Sequence, residues 1–493
     1  MNVLQTYFSP TRIAHPAGRR GKAGAELRRT SSAHLPRLFG IWKLLILLAA
    51  VASPGPGYDT STNIWIADPA SGSKCIGYAV QRLTRWDGIY FATTSARGHL
   101  YEQEWAFSWL LGRITSTIAV LPLPPITLSA LSAILLAHLT HYLAVIVLYH
   151  LIYTLVPTSP TKKQQLAFTT ACLHIISPAG IFLSAPYAEA PFALFNFLGI
   201  YCYIKAIDNR LHTFADAYQL DACWTIAAGL SFGIASMLRS NGLLSGIPFV
   251  WDILVILPRL PQIIQTGEKE QLTRLISTLL AGLSLFLAFA FPQFLAYLEY
   301  CTEKARPWCT ALPPSIYTFV QSHYWNVGLF RYWTLSNLPL FALAFPLGWI
   351  IVETAIPCLF QTHHLNRVLN SSTTADQKLQ PYPPIPHTRE ERVFEYVLPR
   401  LALPQVVLVV MAATSFHVQI LNRISSGYPV WYFILAVEIC ASGWDIEAES
   451  QALLRLFGNY DRIPSVTPEW VVRGMVIYAF VQAGLYASFM PPA

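Results

Sequence analysis

The chain has 493 residues, of which 54% are hydrophobic and 12% charged, and its formal net charge is +7. Soluble domains carry about twice that share of charge, so the composition excludes a soluble enzyme and points to a chain folded in hydrocarbon. The positive excess lies mainly in the N-terminal tail and the loops, where it sets orientation and argues against a nucleic-acid partner.

Residues 1–37 form a basic tail. Arg12, Arg19, Arg20, Lys22, Arg28, Arg29 and Arg37, with Lys43 just beyond, face a single acid, Glu26. The positive-inside rule puts this tail in the cytoplasm, and the apolar span 38–54 reads as a retained anchor because no cleavage site follows it. Further apolar stretches, long enough to cross about 30 Å of hydrocarbon, lie near 128–156, 166–184, 191–207, 223–238, 242–257, 275–297, 338–357, 401–420, 429–447 and 471–490. The expected fold is therefore an all-α polytopic membrane protein of about eleven transmembrane helices, with one polytopic domain over 38–493.

The loops sort by charge. Lys162, Lys163, Lys205, Arg210, Lys269, Arg274, Arg389, Arg392 and Arg400 fall on the cytoplasmic side. The other side receives the loop 55–127, the turn Ser184–Ala190, the break Arg239–Gly242, the loop 298–337 and the stretch His417–Gly427. Within the first of these, 77–91 and 100–116 read as short amphipathic helices lying along the interface. The Leu-Pro-Leu-Pro-Pro run at 121–125 turns the chain back, and 361–397 reads as a flexible cytoplasmic loop. Cys301 and Cys309, with Cys75, fall on the oxidising face, where a Cys301–Cys309 disulfide is one option and free thiols the other. His138 and His141 lie three apart on a helix without a third ligand, and packed polar residues suit them better than a metal.

Every unusual polar cluster lands on one face, as in a site built from several loops. Asp87 is the first candidate catalytic residue, beside Arg85 and Trp86, with Glu102 the second and Glu104 a weaker third. An acid there can take a proton from an attacking hydroxyl while its neighbours hold a substrate, although Asp is also a common helix cap. Glu189, in the Ser184–Ala190 turn, is expected at the mouth of the site as a substrate-binding residue, the alternative being a cap on the next helix. Arg239 and Asn241 interrupt a long apolar run, where a cation is costly unless paired and where guanidinium would match a phosphate. Tyr324, Trp325, Asn326 and Arg331 combine stacking faces with amide and guanidinium donors suited to a sugar phosphate. His417 and Gln419 add hydrogen-bonding groups, with Asn422 and Arg423 close behind.

Arg85-Trp86-Asp87, the run Ser177–Tyr187, Arg239–Gly242, Tyr324–Gly328, Arg331-Tyr332-Trp333 and His417-Val418-Gln419 occur together in the order and spacing of one family. From about residue 40 to its end the chain resembles the GPI mannosyltransferase II family. That resemblance implies a GT-C glycosyltransferase of the endoplasmic reticulum membrane with a lumenal active site. Its implied reaction moves a second mannose, in α-1,6 linkage, from dolichyl phosphate mannose to a mannosyl-glucosaminyl-acylphosphatidylinositol acceptor, with inversion. Asp87 matches the catalytic acid of the broader class. No cofactor or metal is implied, and the resemblance leaves room for an accessory membrane subunit. Gly88 departs from the usual Ala, which predicts a helix loosened by up to about 1 kcal/mol. The alternatives are a related enzyme using another dolichyl-phosphate sugar, and a lipid or solute transporter. A transporter predicts related halves and a charged path through the midplane, whereas Asp252, Glu353 and Glu438 are scattered among unrelated halves.

Overall fold

The computed structural model describes residues 20–55, 61–62, 74–117, 125–212, 217–302, 306–370, 388–441 and 467–490. Among these residues every regular element is helical. In chain order they are α1 (Arg20–Ala52), α2 (Lys74–Leu83), α3 (Asp87–Arg97), α4 (Trp109–Ser116), α5 (Pro125–Leu155), α6 (Pro160–Ile175), α7 (Glu189–Arg210), α8 (Ala217–Leu238) and α9 (Ile247–Ile256). The series continues with α10 (Leu260–Thr266), α11 (Lys269–Cys301), α12 (Ile316–Tyr324), α13 (Leu338–Phe360), α14 (Thr362–Asn370), α15 (Arg389–Thr414), α16 (Leu421–Ile424), α17 (Val430–Ala441) and α18 (Pro468–Ala487). The turn at 121–124, most of the basic tail and the Pro-rich run 381–386 lie outside the described residues.

Nine helical stretches in the described residues are long and apolar enough to cross a membrane, and a bent pair over Val418–Ala441 makes a tenth. The count falls short of eleven at 166–184. There α6 ends at Ile175 and a separate 3-10 turn covers Gly180–Leu183. Pro178 supplies the reason, because it lacks an N–H and drives the residue before it out of the helical region. The span expected at 401–420 begins earlier, at Arg389, where Thr388 and Glu391 form a capping box. Helices α14 and α15 take up both ends of the loop expected at 361–397.

Helix α7 is the centre of the bundle, with 78% of its most apolar window buried. Its sequence is apolar around the whole circumference, as suits a helix with neighbours on every side. Its own Phe192, Phe197 and Tyr203, with Tyr187, Trp431, Tyr432 and Phe433 beyond it, are essentially inaccessible.

Polar residues gather at opposite ends of this bundle. At one end Asp252 accepts from Tyr203 (3.0 Å), Tyr396 (2.8 Å), Arg400 (2.9 Å) and Arg210 (3.2 Å), while Asp221 pairs with Arg210 and Arg274. Asp221 and Asp252 are thus paired within one ionic cluster. Asp221 lies in the first turns of α8, and Arg239 follows its last residue, about 27 Å away at 1.5 Å per residue. At that second end the helices break instead of running on: α6 into the 3-10 turn, α8 into a 3-10 segment over Ser240–Gly246, and α15 into Val418–Gly427 before a 75° bend. Irregular backbone at such depth is tolerated where it lines a cavity or is buried in protein.

Candidate functional site

A cavity of about 300 Å³ opens where these breaks converge. Its wall is supplied by the start of α3, the segment Trp105–Trp109, the α8 end with Arg239–Asn241, α11 at Pro292 and Gln293, the α12 region, and Phe416–Ile424. Asp87 is the one carboxylate on this wall among the described residues.

The position of Asp87 follows from a local interruption. One amphipathic helix was expected over 77–91, but the chain divides at Thr84–Trp86, where Trp86 takes φ 52°. Tyrosine hydroxyls satisfy the backbone freed by this break. Arg85 N–H donates to Tyr486 Oη at 3.0 Å; the Arg85 carbonyl lies 3.0 Å from Tyr486 Oη and accepts from Tyr187 Oη at 3.2 Å. Burial pushes the Tyr187 phenol well above its ordinary value, which keeps it a neutral donor. Asp87 thereby becomes the first residue of α3, with its side chain 36% exposed. Gly88 packs closely behind it. A Cβ there would meet Pro186, Tyr187 and Tyr486 at 3.2–3.3 Å, so glycine lets α3 lie against the Ser184–Ala188 turn.

Two arginines complete the centre. Arg423 Nη1 donates to Asp87 Oδ2 at 3.0 Å, and Arg423 Nε lies 2.6 Å from Glu189 Oε1. Arg239 Nη1 donates to the same Glu189 oxygen at 2.6 Å, and its Nε reaches Asn241 Oδ1 at 3.4 Å. Glu189 is wholly buried and belongs to the first turn of α7. Two carboxylates against two guanidiniums leave the group neutral, which is what allows it to be buried. Asn241 is fixed by Tyr428, whose hydroxyl donates to the Asn241 carbonyl at 2.9 Å.

The remaining expected residues divide clearly. Trp325 and His417 line the cavity with Asp87, Arg239 and Asn241. His417 is braced by Trp325 O at 2.9 Å and by stacking on Tyr332 at 4.8 Å. Gln419 stands outside the lining and accepts from Tyr332 Oη at 3.0 Å, the ring on which His417 stacks. Asn326 is exposed at φ 52°, a turn conformation that Asn tolerates. Tyr324 and Arg331 are exposed and off the cavity wall. Glu189 stands behind that wall and reaches the cavity only through the two arginines. Arg85 and Trp86 also leave it: Arg85 is buried with its guanidinium 4.6 Å from the Phe489 ring, and Trp86 packs on the same ring at 5.5 Å.

Glu102 likewise lies off the cavity lining. Arg306 grips it through Nε (2.8 Å) and Nη2, and Trp308 Nε1 donates at 2.9 Å. The Arg306 hydrogen bonds, helped by Trp308, hold its carboxyl below the usual range, so it is a fixed anion joining two loops. The Cys301–Cys309 disulfide closes the loop that carries both partners. Glu104 is similarly occupied by Arg97 (2.6 Å) and by Leu100 and Tyr101 N–H groups.

Arg423 is the central residue that the sequence left among the bystanders. Its only signal was its place in the polar stretch His417–Gly427, close behind His417 and Gln419. Gln293, Tyr317 and Gln321 also line the cavity, and nothing in their local sequence marked them.

A many-span helical membrane protein with an acid and two arginines around a cavity at one end of its bundle suits group transfer between membrane-held substrates. The chain belongs to the mannosyltransferase (PIG-V) family, whose model matches residues 39–493. It is 39% identical over 466 residues to GPI mannosyltransferase 2 of Aspergillus oryzae, covering 92% of this chain and 94% of that one. The protein of the same name from Gibberella zeae is 36% identical over 464 residues, with 93% and 97% covered. Among solved structures, the Archaeoglobus fulgidus oligosaccharyltransferase aligns at TM-score 0.44 and 11% identity, over 91% of this chain and 55% of that one.

Proposed function

We propose that this GT-C-like mannosyltransferase adds the second mannose, in α-1,6 linkage, to a GPI-anchor precursor at the lumenal face of the endoplasmic reticulum membrane. The donor is dolichyl phosphate mannose and the acceptor mannosyl-glucosaminyl-acylphosphatidylinositol. Kinship over nearly the whole chain with proteins named GPI mannosyltransferase 2 supports the substrate class. The observation that carries the mechanism is Asp87, a cavity-wall carboxylate with one oxygen on Arg423 and the other, Oδ1, without a partner among the described residues.

Asp87 Oδ1 takes the proton of the acceptor 6-hydroxyl as its oxygen attacks the anomeric carbon from the face opposite the phosphate. The configuration therefore inverts. Arg239 stands ready for the departing phosphate, and cavity aromatics such as Trp325 offer flat faces to a sugar ring. Holding two lipid-anchored substrates in one orientation supplies much of the rate, worth roughly 7–11 kcal/mol in favourable cases.

The test is mannose transfer in membranes lacking only the endogenous activity, which supply any accessory subunit. The chain is expected to form the α-1,6 product, and equally abundant Asp87→Asn to fall at least a hundredfold. Full activity of Asp87→Asn rejects the assignment of the base, and a different product linkage rejects the acceptor.

A further inference from the structure

Arg423 lies on α16, a single turn between two 3-10 segments at the 75° bend into α17. Three kinds of contact fix its guanidinium: Nη1 on Asp87, Nε beside Glu189, and the rings of Phe182 and Tyr187 with centroids 5.1 Å away. A planar cation held against two rings and anchored at one corner by a buried carboxylate has little freedom to turn. Its remaining nitrogen, Nη2, has no partner among the described residues, and the side chain lines the cavity. Arg239 repeats the arrangement, with Nη1 on Glu189, Nε on Asn241 and Nη2 without a partner on the same cavity.

We propose that Arg423 is a catalytic residue that joins the base to the leaving group, holding Asp87 through Nη1 while its Nη2, with that of Arg239, receives the donor phosphate. Glu189 is a positioning residue that acts through both arginines. The identity of the phosphate rests on the mannosyl-transfer reading; the pairing of the arginines rests on their geometry.

The electron count explains why one guanidinium should span both groups. The acceptor O–C1 bond forms, the hydroxyl proton goes to Asp87, and the C1–O bond to phosphate breaks with its electron pair left on oxygen. Asp87 passes from anion to neutral acid as the phosphate passes from a singly charged diester to a doubly charged monoester. One unit of negative charge moves from Asp87 to the phosphate, and a cation touching both remains paired throughout. Such fixed donors need no reorganisation during the step. Arg331, exposed and off the cavity wall, lacks this geometry.

The experiment uses the full chain in detergent with dolichyl phosphate as probe, read by its thermal-stability shift and by its inhibition of mannose transfer. Wild type and Arg473→Gln, a substitution on the exposed side of α18, should be stabilised alike. Arg423→Gln should lose the shift. Arg423→Lys, which keeps the charge but cannot serve three partners, should weaken dolichyl phosphate inhibition at least fivefold and lower kcat at least tenfold. A wild-type shift in Arg423→Gln overturns the proposal. If Arg423→Gln does not fold, wild-type kcat and inhibition in Arg423→Lys do so, as does dolichyl phosphate that stabilises no form. An Arg423-dependent shift without mannose transfer upholds the phosphate site and rejects the mannosyl reading instead.

Discussion

Replacing Glu189 tests whether the centre of the site is held by charge. The carboxylate is 0% exposed, and Arg239 and Arg423 both meet its Oε1 at 2.6 Å, whereas Oε2 has no partner. Glu189→Ala removes the shared acceptor, leaves a cavity and leaves the group with one net positive charge. Breaking a buried ion pair from one side costs about 3–5 kcal/mol. The lower end applies here, because the two arginine side chains keep 14% and 12% exposure and can recruit water from the cavity. Glu189→Gln can turn its amide oxygen towards the arginines, and because charge-assisted hydrogen bonds are roughly twice as strong as neutral ones, it should lose about half as much. The assay is thermal unfolding in detergent alongside mannose transfer, with the order wild type, Glu189→Gln, Glu189→Ala in both. Wild-type stability and activity in Glu189→Ala would refute the claim that this carboxylate organises the arginines.

Gly242→Ala should cut transfer at least tenfold, because the added Cβ would sit 2.7–2.8 Å from Ser236 N and Ala235 C, backbone atoms that cannot swing aside, and would push Arg239 and Asn241 off the cavity wall. Wild-type transfer by this variant would count against that close approach. For pH, burial lowers His99 to about 4, outweighing the opposing pull of Glu104. The unfolded chain takes up that proton near pH 6.5, so the stabilisation is full above about 6.5 and is lost as pH falls towards 4. Glu102, held below its ordinary range, adds a loss only at still lower pH, below its unfolded value near 4.3. Stability against unfolding, followed from pH 7 to 5, should therefore fall steadily in wild type and less steeply in His99→Phe, which keeps an aromatic ring against Trp105. Equal slopes would remove His99 as the cause.

Much of this protein could be read along the chain. Apolar stretches of hydrocarbon length locate most spans because a bilayer leaves backbone groups no partner outside the helix. The same logic marks Arg239 and Glu189, since a charge set in an apolar run must be paired or wetted. Asp87 was visible through its neighbours and through the family pattern. Those are local signals, complete within a few residues.

What the tertiary structure alone decided is which polar groups face the cavity and which hold the walls. Glu102 and Asp87 are both carboxylates in the first loop, yet Arg306 and Trp308, some 200 positions further on, occupy one and leave an oxygen of the other open. Arg85 lies two positions before Asp87 but packs its guanidinium on Phe489, because Tyr187 and Tyr486 satisfy the broken backbone at Thr84–Trp86 and turn the chain there. Arg423 reaches Asp87 across 336 positions, at a bend that no local propensity announces. Hydropathy specifies that a segment leaves water, a one-body property of the residues themselves. Pairing between distant charges is a property of two positions at once, and only the packed bundle brings those positions together.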